Sequence, residues 1–291
     1  MSRRGLCVCA DDYGLHPHVN AAVLRLIEHG RLQATGAMVG APGWRDGVGA
    51  LSRVKQAAPE RLDVGLHLDL TEYPLTLAPR GLAGWWLAGA GSEAALRIEI
   101  AAQLDTFESA LGQAPDYVDG HQHVHQFPRV RDALLDELSR RYPDRRPWLR
   151  STRRGTAGFK PALIQSLGQR GLARRAALLG FRQNRRLLGV YDFDGDTDRY
   201  AARLRGWLHV SGDRDLLMCH PARGRVPGDA IAEARLWELE VLDSPLFDAE
   251  LSRLGIAAAP MSRLLAATPV SAGPAAMPAK PRQHGPRGPQ A

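Results

Sequence analysis

The stretch Asp119-Gly120-His121-Gln122-His123-Val124-His125 sets three histidines at every second position. A neutral imidazole is the commonest protein ligand for divalent metals. Period-two spacing places alternate side chains on one face of an extended segment. Three imidazoles on a buried face would otherwise fill a core at high cost, because each polar nitrogen needs a partner. A histidine-rich surface turn is the competing account, and three further polar clusters weaken it.

The first cluster follows Gly5-Leu6-Cys7-Val8-Cys9-Ala10, a continuous apolar run of the kind a doubly buried strand shows. That run ends in Asp11-Asp12-Tyr13-Gly14. Adjacent carboxylates repel, and desolvating them is expensive unless a cation or donor compensates. The pair therefore reads as a metal ligand and a base, with a solvated turn and a helix-capping aspartate as the alternative. In the second cluster Leu66, Leu68 and Leu70 alternate with His67, Asp69 and Thr71, a strand with one apolar and one polar face. A lone histidine such as His67 is more often a hydrogen-bonded structural residue than a ligand. The third cluster, Asp215-Leu216-Leu217-Met218-Cys219-His220-Pro221, is an apolar run ending in His220, with the proline marking the exit from a strand.

Each cluster sits late in, or just after, a predicted strand. Catalytic residues of parallel α/β folds collect at the carboxyl ends of strands. Together the clusters point to an active site.

The elements that must position these residues alternate along the chain. Val19, Ala22, Val23, Leu26 and Ile27 follow a helical period that Gly30 stops. A strand fits 34–40, a helix 44–56, and the His67 strand follows. A Pro-, Gly- and Trp-rich loop over 74–91 carries Trp85 and Trp86. A long helix then presents Leu96, Ile100, Leu104, Phe107 and Leu111 on one face, ending at Gly112. Tyr117-Val118 leads into the three histidines, and Pro128 opens the next helix. Trp148-Leu149 begins a strand, and 160–180 reads as two helices broken at 168–171. Strands over 187–193 and 216–219 alternate with helices over 197–209 and 231–242. About seven strand–helix units predict a single-domain α/β fold, a distorted (β/α) barrel of about seven parallel strands over 1–267.

From Thr268 the composition changes to six prolines, three glycines, three basic and no acidic residues in 24 positions. Such a segment cannot bury enough apolar area to order itself, so 268–291 is expected to be a disordered basic tail.

With 44% hydrophobic and 24% charged residues, the 291-residue chain has the composition of an ordinary soluble protein. No apolar run approaches the roughly 18 residues of a membrane helix, and the first strand is too short for a secretory core. Cys7 and Cys9 have the wrong spacing for a zinc knuckle and read as packing residues, so a reducing, cytoplasmic setting is expected. The net charge of +7 invites a nucleic-acid partner. No helix-turn-helix, basic zipper or aromatic-interleaved basic strand supports one. Basicity instead favours an anionic neighbourhood, such as a phosphosugar, a lipid headgroup or a membrane surface.

In order along the chain, Ala10-Asp11-Asp12-Tyr13-Gly14, Val64 to Thr71, Asp119 to His125 and Met218-Cys219-His220-Pro221 resemble the YdjC-type carbohydrate deacetylases. That family includes chitooligosaccharide deacetylase and a hopanoid-biosynthesis deacetylase, and the resemblance spans about residues 5 to 245. It implies a distorted barrel that removes acetyl groups from N-acetylated sugars with one divalent metal. Carried over, Asp12, His67 and His121 match the metal ligands, and Asp11 the general base. Tyr13 stands where Phe is usual, Asp69 where Asn is common, Gly120 for Ser, and Ala222 where Gly often follows. Asp69 leaves metal preference and substrate contacts open.

One carboxylate and two imidazoles leave coordination positions for water and a substrate oxygen. Asp11 would take the water proton, and His220 or His125 would protonate the leaving amine. The resemblance implies Mg2+, whereas ligand softness also admits Zn2+. The expected partner is an N-acetylated sugar, with anionic and lipid-linked forms open and a homodimer also open. Nucleic acid and an integral membrane segment are not expected. The rival readings are a metal-dependent hydrolase of another bond, such as a phosphoester, and a non-catalytic sugar- or metal-binding protein. No phosphate loop supports the phosphoester reading, and adjacent Asp11 and Asp12 suit a glycosidase poorly.

Overall fold

The computed structural model describes residues 4–87 and 92–266. The segment from Thr268 and the side chain of Trp86 lie outside the described residues. The first strand, β1 (Arg4–Tyr13), is buried from Gly5 onward, as its unbroken apolar run requires. Around the chain follow α1 (Pro17–Glu28), β2 (Ala34–Ala37), α2 (Trp44–Ala57), β3 (Asp63–Leu68), α3 (Leu82–Leu87) and α4 (Glu93–Leu111). Then come β4 (Tyr117–Gly120), a 3-10 turn (His121–Gln126), α5 (Pro128–Arg141), β5 (Trp148–Leu149), α6 (Phe159–Ser166) and α7 (Gln169–Leu178). The last third holds β6 (Leu187–Leu188), α8 (Thr197–Val210), β7 (Asp215–Cys219), α9 (Ala232–Leu242), α10 (Pro245–Arg253), β8 (Ile256–Ala258) and α11 (Met261–Ala266).

Seven strands lie side by side in the order β5-β4-β3-β2-β1-β7-β6, all parallel, and β8 pairs with the start of β1. Two isolated parallel bridges, Leu149 to Gln183 and Arg154 to Leu187, tie the ends of this sheet together. The sheet is thus curled into the expected distorted barrel. Helices cover its outside. The face of α4 built from Leu96, Ile100, Leu104, Phe107 and Leu111 is buried, and Gly112 ends the helix at φ 68°. The break expected between α6 and α7 falls at Gly168, at φ 139°.

Two local readings are corrected. The strand expected over 187–193 stops at Leu188. Gly189 takes φ 87°, and a Cβ there would lie 2.1 Å from the Met218 carbonyl oxygen. The chain leaves the ladder at that point. β3 is buried on both faces, its polar face turned into the barrel interior. The three-histidine segment is not extended: Gln122 and His123 have φ 50° and 61°, so the three imidazoles do not share one face. α10, β8 and α11, beyond residue 242, follow no pattern read in the sequence.

Candidate active site

The site begins at an irregularity in β1. Its register with β2 shifts between Ala10 and Tyr13, and Asp12 adopts φ 66°. In a regular strand, neighbouring side chains point to opposite faces. The bulge lets adjacent Asp11 and Asp12 both line one cavity at the carboxyl end of the barrel. This cavity, of about 760 Å³, is also lined by His67, His121, His123 and His220.

Asp12 is the hub. Its Oδ1 lies 3.1 Å from His121 Nδ1 and 3.4 Å from His67 Nε2. Its Oδ2 accepts a hydrogen bond from Arg235 Nη2 at 2.8 Å. His67 Nδ1 is held by Asp119 Oδ1 at 2.7 Å, which leaves Nε2 facing Asp12. This is how carboxylates orient metal-bound imidazoles. One ligand atom from each of Asp12, His67 and His121 lies within 4.8 Å of the others. One carboxylate and two imidazoles so converged fit a single divalent cation.

The charges agree with that fit. Burial opposes ionisation of Asp12, yet Arg235, His121 and His67 hold its carboxyl well below the usual range. Burial likewise disfavours charge on His121, but Asp12 and Glu72 override it and raise its pKa to about 10. His67 is raised in the same way by Asp119 and Asp11 against its own burial. Two imidazoles that hold protons this firmly mark a place where positive charge is favoured.

Asp11 has a different partner. Arg150, fully buried, donates to both its oxygens, at 2.5 and 2.6 Å, and also meets Asp119 at 2.8 Å. Burial raises the pKa of Asp11, and the Arg150 charge more than reverses this, so the carboxylate stays ionised. His220 Nε2 stands 3.8 Å from Asp11 Oδ2. Behind it, buried Glu238 accepts from the His220 backbone N–H and from the Tyr191 hydroxyl, the latter at 2.7 Å. The Phe193 ring meets the His220 ring edge-on at 5.3 Å between centroids.

His125 is not brought into the cavity. Its Nε2 bonds the Arg150 carbonyl at 3.0 Å, and burial lowers its pKa to about 4. It braces the segment that carries Arg150. His123 does line the cavity, and burial followed by the Arg150 charge pushes its pKa down.

Asp69 is a turn organiser: its carboxylate accepts from the backbone N–H groups of Thr71, Glu72 and Tyr73 and from the Thr71 hydroxyl. Trp85, on α3 after β3, is buried and donates to the Leu70 carbonyl at 2.9 Å. Val190, Tyr191 and Phe193 line the cavity.

The same residues fall within one family. The description YdjC-like protein matches residues 5–253. The chain belongs to the YdjC-like family. Among named relatives, a human carbohydrate deacetylase is 28% identical over 87% of this chain and 89% of its own length. A Salmonella schwarzengrund chitooligosaccharide deacetylase is 26% identical over 87% of this chain and 96% of its own. A proposed cellobiose-phosphate cleavage protein from Enterococcus faecalis shares the fold, with TM-score 0.66 at 21% identity, over 90% of this chain and 99% of that one.

Within this YdjC-like site, the sequence reading missed Arg150, Arg235 and Glu238. Arg150 was visible only as one arginine among many. Arg235 and Glu238 sit three apart on α9, which places both on one helix face, but nothing local marked that face as pointing at Asp12 and His220.

Proposed function

We propose that this YdjC-like protein is a carbohydrate N-deacetylase that hydrolyses the acetamide of an N-acetylated amino sugar. The observation that carries this reading is the convergence of Asp12 Oδ1, His67 Nε2 and His121 Nδ1 beside Asp11 in the cavity. The names of the human and Salmonella relatives support the substrate class.

Asp12, His67 and His121 would hold one divalent ion, which supplies Lewis acidity toward the acetamide carbonyl and the attacking water. Asp11 accepts the proton of that water. Arg150 fixes the orientation of the Asp11 carboxylate and keeps it ionised. As the acetyl C–N bond breaks, His220 Nε2 delivers a proton to the departing amine. Glu238, gripping the His220 backbone, and Phe193, packed against its ring, keep that nitrogen on the Asp11 side of the cavity.

The test is acetate release from N-acetylglucosamine, its β-linked dimer and an N-acetylated phosphosugar, with the protein stripped of metal and reloaded with Mg2+, Zn2+ or Co2+ in turn. Two imidazoles among three donors suit zinc and cobalt, while family resemblance implies magnesium. Turnover that returns with one of these ions on at least one sugar supports the reading. Acetate release that is unchanged without metal would overturn its metal dependence.

A further inference from the structure

Between Arg145 and Tyr191 the sequence holds twelve arginines and lysines and no aspartate or glutamate. This segment builds one side of the cavity, through Lys160, Leu163, Ile164, Val190 and Tyr191. Some surface arginines are matched to carboxylates, as Arg97 is to Glu93, Arg140 to Glu137 and, within this segment, Arg175 to Asp132. Here Arg153, Arg154, Arg170 and Arg174 are exposed and form no ion pair among the described residues.

The same segment displays exposed apolar side chains. Phe159, at the start of α6, is 83% exposed, and Leu163, one turn on, is 47% exposed while also lining the cavity. Spacing of four puts both on one face of α6, at the cavity mouth. Neighbouring Lys160 turns the other way, with Nζ over the Phe193 ring at 4.4 Å. After a two-residue break, α7 buries Gln169, Leu172 and Ala176. Arg170, Arg174 and Leu178 fall on its opposite side, Leu178 at 77% exposure.

We propose that this face, α6 with α7 around the cavity mouth, docks on an anionic phospholipid bilayer. Unpaired arginines complement lipid phosphates, and an exposed phenylalanine and leucines suit the boundary between headgroup and acyl chain. A bilayer accepts such a mixed surface without matched hydrogen-bonding partners. Docking in this pose turns the cavity mouth toward the lipid surface. The inference does not depend on the deacetylase reading, because it concerns binding alone.

The experiment is sedimentation of the full chain with vesicles of phosphatidylcholine, or of phosphatidylcholine mixed equally with phosphatidylglycerol, at low and physiological salt. The mixed vesicles should bind the protein and the neutral ones should not. Arg170→Ser with Arg174→Ser should weaken binding roughly 30-fold. Phe159→Ser with Leu163→Ser should weaken it roughly tenfold or more, with far-ultraviolet circular dichroism unchanged for both variants. Failure of the native chain to bind mixed vesicles at low salt would overturn the proposal. So would equal binding to both vesicle types. Loss of binding with the arginine pair but not with Phe159 and Leu163 would reassign the surface to attraction for polyanions in general, nucleic acid included.

Discussion

Arg150 holds Asp11 by both terminal guanidinium nitrogens, at 2.5 and 2.6 Å, with its own side chain fully buried. The two residues lie 139 positions apart, and the pair links β1 to the residue that follows β5, although β2, β3 and β4 lie between those strands in the sheet. Bidentate pairing fixes both the plane and the charge of the carboxylate. In the proposed mechanism, Asp11 can act as a base only from that fixed plane.

Arg150→Met removes the cation and leaves Asp11 and Asp119 without it in a buried setting. Breaking a buried pair in this way costs about 3–5 kcal/mol. Urea unfolding should show that loss. Arg150→Lys keeps the charge but not the fork, so it should retain more stability while turnover still falls roughly 10²-fold. Equal turnover in Arg150→Lys and the native chain would show that orientation of Asp11 is immaterial.

Asp12→Asn, His67→Ala and His121→Ala should each lose the bound ion and acetate release together. Asp11→Asn should keep the ion while turnover drops by roughly 10²- to 10⁴-fold. Elemental analysis and initial rates on the same preparations check both halves. Asn is chosen at position 12 because it tolerates the left-handed backbone found there, so the fold should survive. An Asp11→Asn protein that is metal-free beside a metal-loaded Asp12→Asn protein would reverse the two roles.

His121 in the metal-free protein has its pKa raised to about 10 from an ordinary value of about 6.5. A raised imidazole stabilises the fold fully below about 6.5 and loses that contribution as pH rises through about 10. The metal-free protein should therefore lose melting temperature across this window. Metal binding requires the imidazole to shed its proton, so affinity should climb over the same range and protons should be released on binding. Calorimetry of metal binding at pH 7 in buffers of different ionisation enthalpy measures that release. A buffer-independent heat would contradict it.

His220→Gln and His125→Gln should fail in different ways. His220 Nε2 stands beside Asp11 in the cavity, so its loss should cut release of an alkyl amine by roughly 10²- to 10⁴-fold. Hydrolysis of 4-nitrophenyl acetate, whose leaving group needs no proton, should fall far less. His125→Gln loses a buried bond to the Arg150 carbonyl, so it should lower stability and slow both substrates alike. Selective loss of the amide reaction in His125→Gln would make His125 the acid.

Sequence alone determined the strand–helix alternation, the parallel barrel and the polar residues at strand ends. These depend on local periodicity and on the rule that such ends gather chemistry. It also singled out Asp11, Asp12, His67, His121 and His220, which sit in short motifs at strand ends and which the fold brings to one cavity. It set His125 beside His121, because period-two spacing implies an extended segment, whereas Gln122 and His123 turn left-handed and His125 does not line the cavity. Backbone handedness at such positions is set by what the turn packs against, and no residue type announced it. Tertiary structure alone decided the partners: Arg150 for Asp11, Asp119 for His67, and Arg235 and Glu238 from α9 for Asp12 and His220. The reason is physical. A buried charge must find an opposite charge wherever the fold supplies one, and a barrel supplies it from strands and helices more than a hundred residues away.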